Sequence, residues 1–154
     1  MDHIHIRPYE ERDWPAIQEA HDLARRGELR LAGLDDAFLP LEIAALREGL
    51  FDYLVDVAEA DGRVVGFIAC SEDELAWLYV HPDVQRRGVG AALCRHALAR
   101  RGNAPMELEV LVGNEPARAL YQRLGFAVTG TVSGVMPGNE RFPVRVWCME
   151  HRPE

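Results

Sequence analysis

The chain has 154 residues, of which 48% are hydrophobic and 27% charged, and a formal net charge of −8. That length suits a single domain, expected over residues 1–154, and the composition is that of a folded globule rather than a disordered tail. No apolar run approaches the ~18 residues of a membrane span, the opening MDHIHIRPYEERD lacks the basic and apolar regions of a signal peptide, and the excess acid argues against a nucleic-acid surface; the expectation is a cytoplasmic protein with no nucleic-acid or membrane partner.

In chain order, His3-Ile4-His5-Ile6-Arg7 alternates and predicts a first strand with both isoleucines on one face. His3 and His5 have no further His or Cys nearby, which reads as a solvated strand face rather than a metal site. Asp13 predicts an N-cap with Pro15 in the first turn, and Trp14, Ile17, Ala20, His21 and Ala24 recur at helical spacing up to a stop at Arg26-Gly27. Residues 28–40 carry no clear pattern. Residues 41–50 predict a short second helix with Ile43, Leu46 and Leu50 on one stripe. Residues 53–59 and 63–70 are β-rich runs around Ala60-Asp61-Gly62, and Asp-Gly between such runs signals a hairpin.

Residues 75–80 predict a strand ended by His81-Pro82. Residues 89–101 predict a helix with Val89, Leu93 and Ala97 as its apolar line and Gly102-Asn103 as its stop. A strand over 106–112 follows, then Asn114 capping a helix that runs to Leu124 and closes at Gly125. Two strands, near 127–132 and 144–150, finish the chain. The order describes a mixed α/β or α+β sheet without internal repeats. Cys70, Cys94 and Cys148 form no CxxC pair and read as small buried residues in a reducing compartment.

Charge is unevenly spread: residues 1–75 hold 18 acids against 7 arginines, and residues 76–154 hold 7 against 10. In the second half, Gln85-Arg86-Arg87-Gly88-Val89-Gly90 joins a predicted strand to a predicted helix. A glycine-rich turn there presents unpaired N–H groups and the positive end of the helix dipole, which suits a phosphate. A P-loop requires a lysine, and this chain has none. A dinucleotide fingerprint requires GxGxxG or GxGxxA, and Gly88-Val89-Gly90-Ala91-Ala92-Leu93 ends in leucine.

The remaining pattern is Gln or Arg, two residues, Gly, one residue, then Gly or Ala, and here the chain resembles the GNAT superfamily of acyl-CoA-dependent N-acyltransferases. The lead-in Leu78-Tyr79-Val80-His81-Pro82 and the later unit Asn114-Glu115-Pro116-Ala117-Arg118-Ala119-Leu120-Tyr121, closed by Leu124-Gly125-Phe126, match the family in the same order. The resemblance implies a GNAT fold: a central, mostly antiparallel mixed sheet of six to seven strands flanked by about four helices. It also implies acetyl-CoA as co-substrate, no metal, an amine-bearing acceptor, and a homodimer through the C-terminal strands as in other family members. By the resemblance, Gln85, Arg86, Arg87, Gly88, Val89, Gly90 and Ala91 hold the CoA pyrophosphate, Leu78, Tyr79 and Val80 pair with the pantetheine arm, and Asn114 and Tyr121 complete the cofactor site. The Val80 amide then faces the thioester oxygen and stabilises the oxyanion. Glycine at 88 and 90 is expected to let the backbone approach the pyrophosphate where a Cβ would clash.

Tyr121 is where the family often has its general acid; read alone, a tyrosine on the Ala117, Leu120, Leu124 face is equally a core residue. Glu107 and Glu109 share one face of what should be an interior strand, where a carboxylate needs a partner or a task. Glu109 matches the base position of the ribosomal-protein N-terminal acetyltransferases, against which stand a salt-bridged structural role and an ammonium contact; Glu107 reads as solvated. His81 and His96 read as structural. Acceptor recognition falls to residues 28–50 and 134–142, and the acidic half favours a cationic amine. The reaction expected is acetyl transfer to a primary amine in a ternary complex; the competing reading is a non-catalytic acyl-CoA-binding module.

Overall fold

The computed structural model describes residues 3–102 and 104–152. Its elements run β1 (Ile4–Pro8), α1 (Trp14–Leu31), α2 (Leu41–Glu48), β2 (Leu54–Ala60), β3 (Arg63–Cys70), β4 (Leu75–Val80), α3 (Val89–Arg101), β5 (Met106–Leu111), α4 (Glu115–Arg123), β6 (Phe126–Met136) and β7 (Asn139–His151). The strands form two antiparallel sheets, β1-β2-β3-β4 and β5-β7-β6, rather than one. They touch where the parallel neighbours β4 and β5 begin, through a single bridge between Glu74 and Glu107 in which the Glu107 N–H donates to Asp73 O at 2.7 Å. Past that bridge no ladder joins β4 to β5, and the gap between them is where the site forms.

Alternation sends the two faces of β4 to different cores. Leu78 and Val80 pack with α3 and α4 against Val89, Leu93, Ala97, Leu108 and Tyr121. Trp77 and Tyr79 pack on the other face with Ile17, Leu41, Leu50 and Phe67, under α1 and α2. The helix α3 begins and ends where its pattern predicts, with Val89, Leu93 and Ala97 buried; Asn103 of its expected stop lies outside the described residues. The Asp61-Gly62 hairpin also forms, both residues having positive φ as a two-residue turn requires.

Four expectations are corrected. Helix α1 does not stop at Gly27 but runs to Leu31, burying Leu29 completely. Burial of a leucine is worth roughly 2 kcal/mol, against about 1 kcal/mol for glycine inside a helix, so packing overrides the local stop. Asp13 stands at the N-cap position of α1 but makes no capping bond to it; its carboxylate accepts instead from the Glu10 N–H at 2.8 Å and from both terminal nitrogens of Arg7 at 2.8 and 2.9 Å. In α2 the buried residues are Leu41, Ala44 and Ala45, while Leu46 is 85% exposed; left-handed Gly49 ends the helix before Leu50, which turns inward separately. Finally, β6 and β7 extend through most of the expected loop to a turn at Pro137-Gly138. The segment 127–135 of β6 is exposed along its whole length, so it has no buried face whose alternation a sequence could display.

No described helix is long and apolar enough to cross a membrane.

Candidate active site

The turn before α3 is built by backbone geometry. Gly88 at φ 85° is the helix N-cap, and Arg86 is also left-handed at φ 67°, an uncommon conformation for a side-chain-bearing residue. The first N–H groups of the thirteen-residue α3 therefore open toward the gap beside β4. A Cβ on Gly88 would meet no atom within 4 Å, and one on Gly90 would meet Leu120 Cδ2 at 3.5 Å and Val80 Cγ2 at 3.8 Å, ordinary contacts. Neither glycine is thus required by its protein neighbours; Gly88 is required by its positive φ.

Strand β4 presents its backbone to the same gap. The His81 N–H donates to Val65 O of β3 at 2.7 Å. Because successive peptide groups of a strand point to opposite edges, the N–H and C=O of Val80 and Leu78 turn away from β3. The Val80 carbonyl accepts from Gln85 Nε2 at 3.2 Å, so Gln85 ties the turn to the strand end. His81 is buried and structural, its Nδ1 accepting from the Asp83 N–H at 3.1 Å.

A cavity of about 720 Å³ follows this surface. It brings together Leu78, Tyr79, Val80, Gln85, Arg86, Gly88, Val89, Gly90, Ala91, Asn114 and Tyr121 of the expected set; Arg87 is not on its wall. Its opposite side is α1, through Leu23, Gly27, Glu28, Arg30 and Leu31; the sequence reading placed none of them at the cofactor site, and assigned 28–50 to the acceptor. The signal was present: Leu29 continues the apolar spacing of Ile17 and His21 past the glycine.

A second cavity of about 340 Å³ opens on the other side of the β4–β5 gap. Residues from both expected recognition segments line it, including Arg47 and Glu48 from one and Met136, Pro137 and Gly138 from the other. Glu109 lies on its wall and is exposed. The reason given for that residue is corrected: β5 pairs with β7 alone along this stretch, so its outward carboxylate faces a cavity and not a packed interior. Glu107 is exposed too. Glu48 was not singled out by sequence; burial, and then the charge of Glu140, push its carboxyl up to about 7 against the opposing pull of Arg25.

The two cavities meet at Glu28, Leu78, Tyr79, Asn114, Ala117 and Tyr121. Asn114 caps α4, its Oδ1 accepting from the Ala117 N–H at 3.3 Å, which leaves Nδ2 to donate to Glu28 Oε2 at 3.1 Å. Glu28 Oε1 accepts from the Tyr79 hydroxyl at 3.1 Å and from Arg25. Tyr121 is 8% exposed, its ring edge-on to Phe126 at 5.6 Å. Its hydroxyl makes no hydrogen bond among the described residues, and burial holds the phenol well above the ordinary tyrosine range.

A helix start on a cavity wall, a strand edge turned away from β3 and a polar second cavity meeting at a phenol are compatible with acyl transfer from a phosphorylated thioester. Residues 51–128 match the family model described as an acetyltransferase (GNAT) domain. The chain belongs to the GNAT acetyltransferase family. Among GNAT relatives, the [ribosomal protein bS18]-alanine N-acetyltransferase of Escherichia coli is 40% identical over 73 residues, covering 43% of this chain and 49% of its own. The solved ribosomal-protein-S18-alanine N-acetyltransferase from Escherichia coli superposes with a TM-score of 0.70 at 26% identity, covering 97% of this chain and 94% of its own. The PaiA N-acetyltransferase of Thermoplasma acidophilum, solved in complex with coenzyme A, shares the fold at a TM-score of 0.70 and 20% identity, covering 98% of this chain and 99% of its own. The chain spans about half the length of the curated relatives it matches, between 38% and 61%.

Proposed function

We propose that the protein moves an acetyl group from acetyl-CoA to a primary amine by direct attack in a ternary complex. The observation that carries this reading is the junction of two cavities at Tyr121 and Asn114, one beside a glycine-rich helix start and the other walled by carboxylates. The amides of the turn and α3, with Arg86, hold the pyrophosphate; the free edge at Leu78 and Val80 receives the pantetheine as an added strand. The amine arrives through the second cavity and loses its ammonium proton to Glu109, directly or through water. Its nitrogen attacks the thioester carbon, the N–C bond forms, and the Val80 N–H stabilises the oxyanion. The C–S bond then breaks, the Tyr121 phenol protonates the departing sulfur, and the second proton, shed by the acylated nitrogen, restores the phenol.

Monitoring free CoA thiol with acetyl-CoA and an amine panel tests this reading. Amine-dependent release is expected; tight CoA binding without release for any amine would overturn it. The β6 edge, exposed over 127–135, supports a homodimer through the C-terminal strands, for which light scattering should return twice the chain mass. The three free cysteines support a reducing, cytoplasmic setting.

A further inference from the structure

Among the six residues where the two cavities meet, Glu28 is the charged one, and its carboxylate is held with one position to spare. A carboxylate offers about four lone-pair sites. Three are filled: Oε1 accepts from Tyr79 and Arg25, and Oε2 from Asn114 Nδ2. The remaining site lies on Oε2, at the junction, on a side chain 24% exposed. Asn114 cannot flip to fill it differently, because its Oδ1 is committed to the Ala117 N–H. With a guanidinium and two neutral donors on it, the Glu28 carboxylate is fixed in direction.

Of the two guanidinium groups on the wall of the cavity beyond it, the one beside Glu28 is already taken. Arg25 is bound to Glu28, and Arg47 donates to Gly138 O at 2.9 Å. The other charged groups on the wall, Glu48, Glu74 and Glu109, are acids, of which Glu74 accepts from the Tyr53 hydroxyl at 3.2 Å. An amine with a carboxylate on the adjacent carbon would set that carboxylate against Glu28 without compensation, while an unsubstituted ammonium fits the open site.

We propose that Glu28 receives the acceptor's ammonium group through the open position on Oε2, and that the acceptor is therefore a cationic amine with no anionic group beside the reacting nitrogen. The assignment rests on the acetyl-transfer reading for the chemistry, but not for the binding. Glu28 orients the nitrogen toward the thioester, and the proton leaves by way of Glu109.

Two matched pairs test it, alaninamide with alanine and pentylamine with norleucine, the first standing for a peptide α-amine and the second for an alkylamine. Calorimetric binding to the CoA-saturated protein should favour the carboxylate-free member by at least tenfold in one pair or both, and the responsive pair identifies the source. In Glu28→Gln that member should bind at least tenfold more weakly, with acetyl-CoA affinity within threefold of the parent. Equal affinity within both pairs, no binding of any of the four, or unchanged binding in Glu28→Gln would each overturn the proposal. If the variant fails to fold, the preference of the parent protein decides by itself. Turnover of the same amines is read separately: preferential binding without CoA release would sink the transfer reading and leave Glu28 as an ammonium site.

Discussion

At Tyr121 the ring is buried and the hydroxyl is not hydrogen-bonded to the described protein, a combination that suits a proton donor waiting for its acceptor. Burial first, and then the neighbouring Cys94 thiol and Glu28 carboxylate, hold the phenol above its ordinary range. The proton therefore stays on across neutral pH. Passing it to a fully formed thiolate runs uphill, since a thiol is a stronger acid than a phenol, so transfer must accompany C–S cleavage. Tyr121→Phe should lower kcat by roughly ten- to a thousand-fold and leave acetyl-CoA affinity nearly unchanged; an unaltered kcat in steady-state assays would remove Tyr121 from the reaction. Glu48 gives a pH test that needs no substrate. Its carboxyl is raised from 4.5 to about 7 by burial. Below the lower value it is protonated whether the chain is folded or not, and folding is unaffected. As pH rises toward the upper value the unfolded chain ionises first, so the residue destabilises the fold, by up to about 3 kcal/mol at pH 8. Glu48→Gln should then be the more stable protein in urea at pH 8 and no different at pH 4; a parallel offset at both pH values would contradict this account.

Elements differ in how legible they are, and the reason is physical. The helix α3 is bounded by a left-handed glycine at one end and packed by a repeating apolar line, so local and tertiary preferences agree and its limits could be read directly. The cap of α4 at Asn114 is likewise local chemistry. In α1 the two preferences conflict at Gly27, and the last turn, which carries Glu28, was lost with it. All but Arg87 of the side chains expected on the donor cavity line it, because they sit on a strand end, a turn and the two helices α3 and α4. Glu28 and Glu48 fell within the recognition segment 28–50 but could not be singled out in it, since their relevance depends on where separate elements meet. Within the turn, the geometry ranks its residues. Valine at 90 would push its methyls past the contacts a bare Cβ makes with Leu120 and Val80, into the donor cavity, whereas Arg86→Ala removes a side chain and leaves the amides in place. Gly90→Val should therefore weaken acetyl-CoA more than Arg86→Ala does; titrations in the reverse order would make the turn a charge patch first and a backbone cradle second.

Across the whole molecule, the two sheets are joined at one end of the gap by the Glu74–Glu107 bridge, and the β6–β7 hairpin spans the acceptor cavity from the other side. Its tip is fastened to the segments around α2: Arg47 donates to Gly138 O at 2.9 Å and Asn139 Nδ2 to Ala37 O at 3.1 Å. Met136, 3% exposed, is buried there with Leu29 and Ala37, and its sulfur lies 3.7 Å from an Arg25 nitrogen. One side chain thus packs the hairpin onto the end of α1 and also lines the acceptor cavity. Truncating a buried methionine costs about 2–5 kcal/mol, less than most of the ~5–15 kcal/mol that holds an ordinary domain folded, so Met136→Ala should remain folded at 25 °C with a lower melting temperature. The donor cavity has no wall in common with Met136. Met136→Ala should accordingly raise the KM for the amine several-fold while the KM for acetyl-CoA stays within twofold. Equal changes in both constants would mean that the hairpin supports the fold as a whole, and a change in melting temperature alone would mean that the clasp does not shape the acceptor site.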